Sequence, residues 1–240
     1  MRDRYGESLA ALLAAQKPAK GVSLYSRHVN RPLGRRVAAA AHVLGLSPDQ
    51  VTTMSGVCTV AAVALIALIH PSPAVGVAVA ALLALGFVLD AADGQLARLT
   101  SGGSARGELL DHLIDCAAKL AVHAAVLVAF YRFDHADGAL LLLPLAFQTV
   151  AVLLFFEGTL VGKLREHPGR APERQQQAVD DRLTGIGLLP VDHGALCLSF
   201  IVWGDYHVFV LTYLVLMLAH AVAFGALTRR WFQELAVDSA

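Results

Sequence analysis

Charge is scarce in this chain. Only 16% of its 240 residues are Asp, Glu, Lys or Arg, against about 25% in an ordinary soluble protein. The 19 basic and 19 acidic side chains cancel, so nothing points to a nucleic-acid partner, which needs a basic surface. Cysteine is scarcer still. Cys58, Cys116 and Cys197 are an odd set lying in apolar stretches, which excludes a disulfide framework and offers no zinc spacing. Arg2, Asp3, Arg4 and Glu7 precede only a short Ala/Leu run, so no secretory leader is expected. Neither an internal repeat nor a low-complexity tract is visible.

What is abundant is apolar. The chain is 56% hydrophobic, with a mean hydropathy of +0.59. Its runs predict six membrane spans, near 51–69, 74–89, 107–130, 139–161, 191–203 and 206–227. The fold class is therefore all-α: an integral membrane bundle of six transmembrane helices with an N-terminal juxtamembrane or interfacial helix near 7–16. The second helix is expected to continue past its span to Arg98. The fifth span is the least regular, because Pro190 interrupts it and Asp192 and His193 follow; residues 183–190 read as re-entrant or interfacial. Three regions result: a cytoplasmic arm at 1–46, a membrane domain at 47–230 and a short cytoplasmic tail at 231–240.

Lys and Arg are segregated. They fill the N-terminal arm, the connector between the second and third spans, the segment 162–182 and the C-terminal end, whereas the other loops hold only Arg132. The positive-inside rule then puts both termini and the 99–106 connector in the cytoplasm, most simply at the inner cell membrane. The basic arm suits anionic lipid headgroups.

The chemistry concentrates between Asp90 and Asp115. As helices, the two flanking runs place Asp90 and Asp93 one turn apart, with Gly94, Ala97 and Arg98 continuing that face. Gly107, Asp111 and Asp115 recur every fourth residue and share another face. A tight Gly/Ser-rich connector makes the helices antiparallel neighbours, so four carboxylates converge. Such a cluster repels itself. One or two hard divalent cations with oxygen ligands, Mg²⁺ or Mn²⁺, would keep it ionised, and Mg²⁺ sites commonly include substrate phosphates. Arg98 supplies a cationic fork suited to phosphate.

The pattern Asp90-x2-Asp93-Gly94-x2-Ala97-Arg98-x8-Gly107-x3-Asp111-x3-Asp115 resembles the complete signature of the CDP-alcohol phosphotransferase family. The resemblance implies transfer of a substituted phosphate, such as phosphatidyl, from a CDP-linked donor such as CDP-diacylglycerol to an alcohol, releasing CMP. It implies Asp90, Asp93, Asp111 and Asp115 as metal ligands and Asp115 as the base that deprotonates the alcohol. Gly94, Ala97, Arg98 and Gly107 match its nucleotide-contacting positions. Pro48, Asp49 and Thr52 match a Pro-Asn-x-x-Thr element, with Asp in place of Asn; helix capping is an equal explanation for Asp49. Ser104 stands where the family often has a hydroxyl near the cytidine, and a turn role is equally open. Relatives form homodimers. The segment 26–36 is similar to the pre-membrane segment of inositol-phosphate-using members.

Acceptor candidates are Lys119, Arg165, Arg174, Arg182 and Asp192. Lys119 lies one turn beyond Asp115; it can bind an acceptor phosphate, pair with Asp115 or neutralise the cluster. Asp192 can equally cap a helix. His123 reads as a hydrogen-bonded core histidine, and the same holds for His42 and His220. Two rival classes share parts of this pattern. Intramembrane prenyltransferases also use Asp pairs and Mg²⁺, but on widely separated helices. A transporter would spread polar residues over several spans.

Overall fold

The protein is described by a computed structural model for residues 2–15, 23–133, 138–165 and 189–237. Helix α1 (Arg2–Ala14) is followed by a π-helical turn, Ser26–Asn30, that runs directly into α2 (Arg31–Leu44). Gly45, at φ +72°, ends α2, its N–H returning to the carbonyls of Ala41 and His42. Ser47 then starts α3 (Pro48–Leu68). Its hydroxyl accepts from Gln50 N at 3.2 Å, while the Gln50 side chain accepts from Ser47 N at 2.8 Å, a reciprocal cap. Ser72 caps α4 (Pro73–Leu99) through Val75 N. Helices α5 (Ala105–Phe133) and α6 (Gly138–Arg165) follow. Beyond a 3₁₀ turn at Leu189–Val191 come the short α7 (His193–Ser199), a second 3₁₀ turn at Phe200–Val202 and α8 (Tyr206–Val237). No strand occurs among the described residues.

Five helices, α3, α4, α5, α6 and α8, are long and apolar enough to cross a bilayer. The shortest has 21 residues; at ~1.5 Å per residue it rises about 31 Å, the thickness of a hydrocarbon core. The chain is an integral membrane protein with an all-helical bundle. The expected fifth span is shorter than a full crossing. Its apolar helical stretch is His193–Val202, about 15 Å of rise. Residues 166–188, which include most of the expected re-entrant segment, lie outside the described residues.

Helix α3 packs along both α4 and α5. Helix α4 also receives α2, α7 and the 3₁₀ turn after it, while α6 joins α5 to α8. Two clusters form the core. At the end where α4 begins and α5 finishes, Phe130, Phe147, Phe200, Trp203, Phe209 and Tyr213 interlock. At the other end Leu12, Ala38, Ala41, Val51, Leu89 and Leu96 tie the N-terminal helices to α4. The seam between α2 and α4 is tight: a Cβ on Gly34 would stand 2.9 Å from Ala91 Cβ and 3.1 Å from its backbone. Helix α2 is thereby laid directly against the turns of α4 that carry the acids.

Candidate active site

The last turns of α4 and the first turns of α5 carry the acids, but these two helices approach each other far less closely than either approaches α3. The two helices are joined chiefly through α3, which packs along both. Carboxylates from α4 and α5 nevertheless converge. One ligand atom each from Asp90, Asp93 and Asp111 lie within 4.8 Å of one another.

Their surroundings hold them there. Asp93 is 5% exposed, and its Oδ2 accepts from the Thr52 hydroxyl at 2.6 Å, itself 3.0 Å from the Pro48 carbonyl. Helix α3 thus orients an acid of α4 through the proline and threonine flagged in the sequence. Asp111 Oδ1 is buried with no hydrogen-bond partner, and its Oδ2 stands 3.9 Å from His112 Nδ1. Three converging acids with an orphaned oxygen form an oxygen-only donor set of the kind that hard divalent cations occupy. Asp115 is one turn further along α5. Its Oδ2 is 3.4 Å from Lys119 Nζ, and that ammonium also lies 4.3 Å from the centre of the Phe155 ring.

The remaining candidates fall into place unevenly. The capping role open to Asp49 belongs to Ser47. Asp49 Oδ1 instead sits 3.0 Å from where a Gly107 Cβ would be, so Gly107 lets the start of α5 approach the start of α3. Ser104 caps α5, its Oγ accepting from Gly107 N at 3.0 Å. A Cβ on Gly94 would meet only Arg98 Nη1, at 3.6 Å; Gly94 and Ala97 are half-buried and Arg98 exposed. Arg165 is engaged by Glu234 through two hydrogen bonds of 2.8 Å. Arg174 and Arg182 lie outside the described residues. Asp192 caps α7 through Gly194 N at 2.7 Å and accepts from the hydroxyls of Ser23 and Ser26. His123 is a core residue, 1% exposed and bonded to the Tyr213 hydroxyl.

Sequence reasoning did not anticipate the clasp between the N-terminal arm and α7. Besides the two serines on Asp192, Tyr25 stacks on Phe87 of α4, and Phe87 meets His193 edge-on. The partners are far apart in sequence, so no local pattern announces them. Gln95 is a second omission: its amide donates to the Arg31 carbonyl at 3.3 Å, joining α4 to α2.

Clustered acids on two helices with a polar support from a third form an acid-rich site within a membrane bundle. The chain belongs to the CDP-alcohol phosphatidyltransferase family, whose profile matches residues 46–167. That segment starts just before α3, ends just after α6 and contains all four aspartates. The chain is accordingly an enzyme, a transferase of substituted phosphate groups. Among solved structures it is similar to the phosphatidylinositol phosphate synthase of Mycobacterium tuberculosis with CDP-DAG bound. That match has 21% identity and a TM-score of 0.51, covering 82% of this chain and 90% of that one. The same synthase in complex with manganese and citrate gives 18% identity and a TM-score of 0.56, over 85% and 89% of the two chains. At this identity the likeness establishes the shared fold. No curated protein matches the chain significantly.

Proposed function

We propose that this enzyme transfers the phosphatidyl group of CDP-diacylglycerol to the hydroxyl of a small polyol or polyol phosphate, releasing CMP. The observation that carries the reading is the meeting of Asp90, Asp93 and Asp111 from two helices, inside the segment matched by the family. The fold neighbour with CDP-DAG bound supports the donor, and the manganese-bound one supports a divalent ion.

Asp90, Asp93 and Asp111, with Asp115 close by, would hold one or two Mg²⁺ or Mn²⁺ ions, which when bound neutralise the donor pyrophosphate and stabilise charge on the departing CMP. Thr52 keeps the Asp93 carboxylate oriented. The open face at Gly94, Ala97 and Arg98, together with Pro48, Asp49, Ser104 and Gly107, surrounds the nucleotide; Arg98 offers its fork to a phosphate. Asp115 takes the proton of the acceptor hydroxyl. The oxygen then forms a bond to the donor's β-phosphorus as the bond to CMP breaks. Lys119, paired with Asp115, restrains that base and offers a cation to the acceptor. Both termini and the acidic end face the cytoplasm, in keeping with the basic residues gathered there. The assembly is a homodimer, as in relatives.

The test offers the purified protein CDP-diacylglycerol with a panel of alcohols and measures CMP by mass spectrometry. CMP and a phosphatidyl-alcohol in equal amounts support the reading. Turnover of a prenyl diphosphate with pyrophosphate release, and no CMP, would refute it.

A further inference from the structure

The stretch 23–30 reaches across the bundle to α7. The Ser23 hydroxyl accepts from Ser26 N at 3.1 Å and donates to Asp192 Oδ2, and the Ser26 hydroxyl donates to the same oxygen at 2.5 Å. Between them, Tyr25 lays its ring in the space where a Gly194 Cβ would be, so any larger residue at 194 would have to displace it. Tyr25 also stacks on Phe87 of α4, which meets His193 edge-on. The segment and α4 together grip the start of α7 at Asp192, His193 and Gly194. His193 lines a cavity of about 200 Å³ whose wall also includes Lys119, His123 and His220, and Lys119 is paired to Asp115. A shift of α7 would therefore move an imidazole that shares a cavity with the partner of the proposed base.

The grip carries costs of its own. Ser26–Asn30 is a π-helical turn, a rare conformation found frequently at functional sites. Asn30 is buried, and its Oδ1 has no hydrogen-bond partner among the described residues, a loss that native structures seldom accept. Asp192 is 8% exposed, yet its partners among the described residues are two hydroxyls and a backbone N–H, with no lysine or arginine. Burying a carboxylate without a cation is costly. Hydrogen bonds that must offset these terms leave little net stabilisation, so the segment is fastened reversibly rather than locked into the core.

We infer that residues 23–30 are a releasable strap and that Ser23, Tyr25 and Ser26 are positioning residues for the transfer. Fastened to Asp192 and Gly194, they hold His193 beside the reaction centre, and turnover requires the strap closed. The link to turnover rests on the reading of Asp115 as the base.

Cys197 reports on the strap. It is fully buried and lies three residues beyond Gly194, on the same face of α7. With Cys58→Ala and Cys116→Ala it is the single thiol of the chain. The full-length protein in nanodiscs containing CDP-diacylglycerol is treated with N-ethylmaleimide, and CMP release is followed in parallel with the preferred alcohol of the panel above. Ser23→Ala combined with Ser26→Ala, and separately Gly194→Ala, are each expected to speed labelling of Cys197 and to lower kcat about tenfold, the factor of one hydrogen bond. The donor KM and the melting temperature should hold. Tyr25→Ala should match the serine pair, whereas Tyr25→Phe, which keeps the ring, should restore protection of Cys197 and turnover. Parental labelling and kcat in the folded serine pair would overturn the inference even if Gly194→Ala failed to fold. So would a serine pair whose kcat falls only with its melting temperature while Cys197 stays protected, the mark of a purely structural contact. CMP from no alcohol would instead overturn the transferase reading, while faster labelling of the serine pair would still support the strap.

Discussion

At the scale of single residues, the site depends on carboxylates that repel each other and are aligned by few partners. Asp111 has an oxygen with no hydrogen-bond partner among the described residues, as expected of an atom reserved for a cation, and Asp115 pairs with Lys119. Asp111→Asn and Asp115→Asn keep the shape and remove the charge. Each is expected to lower CMP formation at least 10²-fold, with the melting temperature in detergent unchanged or raised by relief of repulsion. Near-normal turnover in either would count against its role. Thr52 acts through Asp93. Thr52→Val should raise the Mg²⁺ concentration for half-maximal activity about 10- to 100-fold, as the loss of outer support to a metal ligand does. Titrating activity against Mg²⁺ checks this.

The convergence of Asp90, Asp93 and Asp111 was legible because helical spacing puts the acids of each helix on one stripe. Other residue roles were not. Asp49 and Asp192 both stand where a helix begins, so capping and function look alike in sequence. The structure separates them: Ser47 does the capping for α3, while Asp192 caps α7 and takes two serine hydroxyls from the distant N-terminal arm. The histidines at 123, 193 and 220 are far apart in the chain, and only tertiary packing brings them to one cavity.

At the scale of elements, the long spans were legible from apolar runs bounded by Ser47-Pro48 and Ser72-Pro73, where the serines cap and the prolines occupy a first turn. Helix α2 was not. Its buried side is made of Gly34, Ala38, Ala39 and Ala41, residues too small to register as an apolar face, and its arginines mask the rest. The close fit at Gly34 leaves no room for a methyl group. Gly34→Ala should therefore destabilise the protein by about 1–3 kcal/mol, read as a lower unfolding temperature, and should loosen α2 from α4. Unchanged stability would mean that this seam yields more readily than its backbone contacts imply. The bracing of α4 and α5 by α3 was also beyond sequence reasoning, because packing of one helix along two others is a property of the whole bundle.

At the scale of the molecule, one end carries the acidic cluster while the other is aromatic. Lys163 meets Glu108 and Arg165 meets Glu234 at the acidic end; Phe133 meets His70 at the other. This polarity predicts the orientation in the membrane. In a protein freed of its three native cysteines, Ser72→Cys should react with a membrane-impermeant maleimide added to intact cells, and Ser101→Cys should react only after lysis. The reverse pattern would place the reaction on the outer side. The short α7, about 10 Å in rise, closes against α4 and the N-terminal arm.

The central claim is that acids from α4 and α5 jointly hold a divalent cation against the pyrophosphate of a CDP-linked lipid. Titration of Mn²⁺ into the purified protein with CDP-diacylglycerol, followed by the electron paramagnetic resonance signal of the free ion, tests it directly. The account predicts saturable binding of one or two ions per chain, lost when Asp93→Asn on α4 or Asp111→Asn on α5 is introduced singly. Equal binding by the wild type and both variants would contradict it.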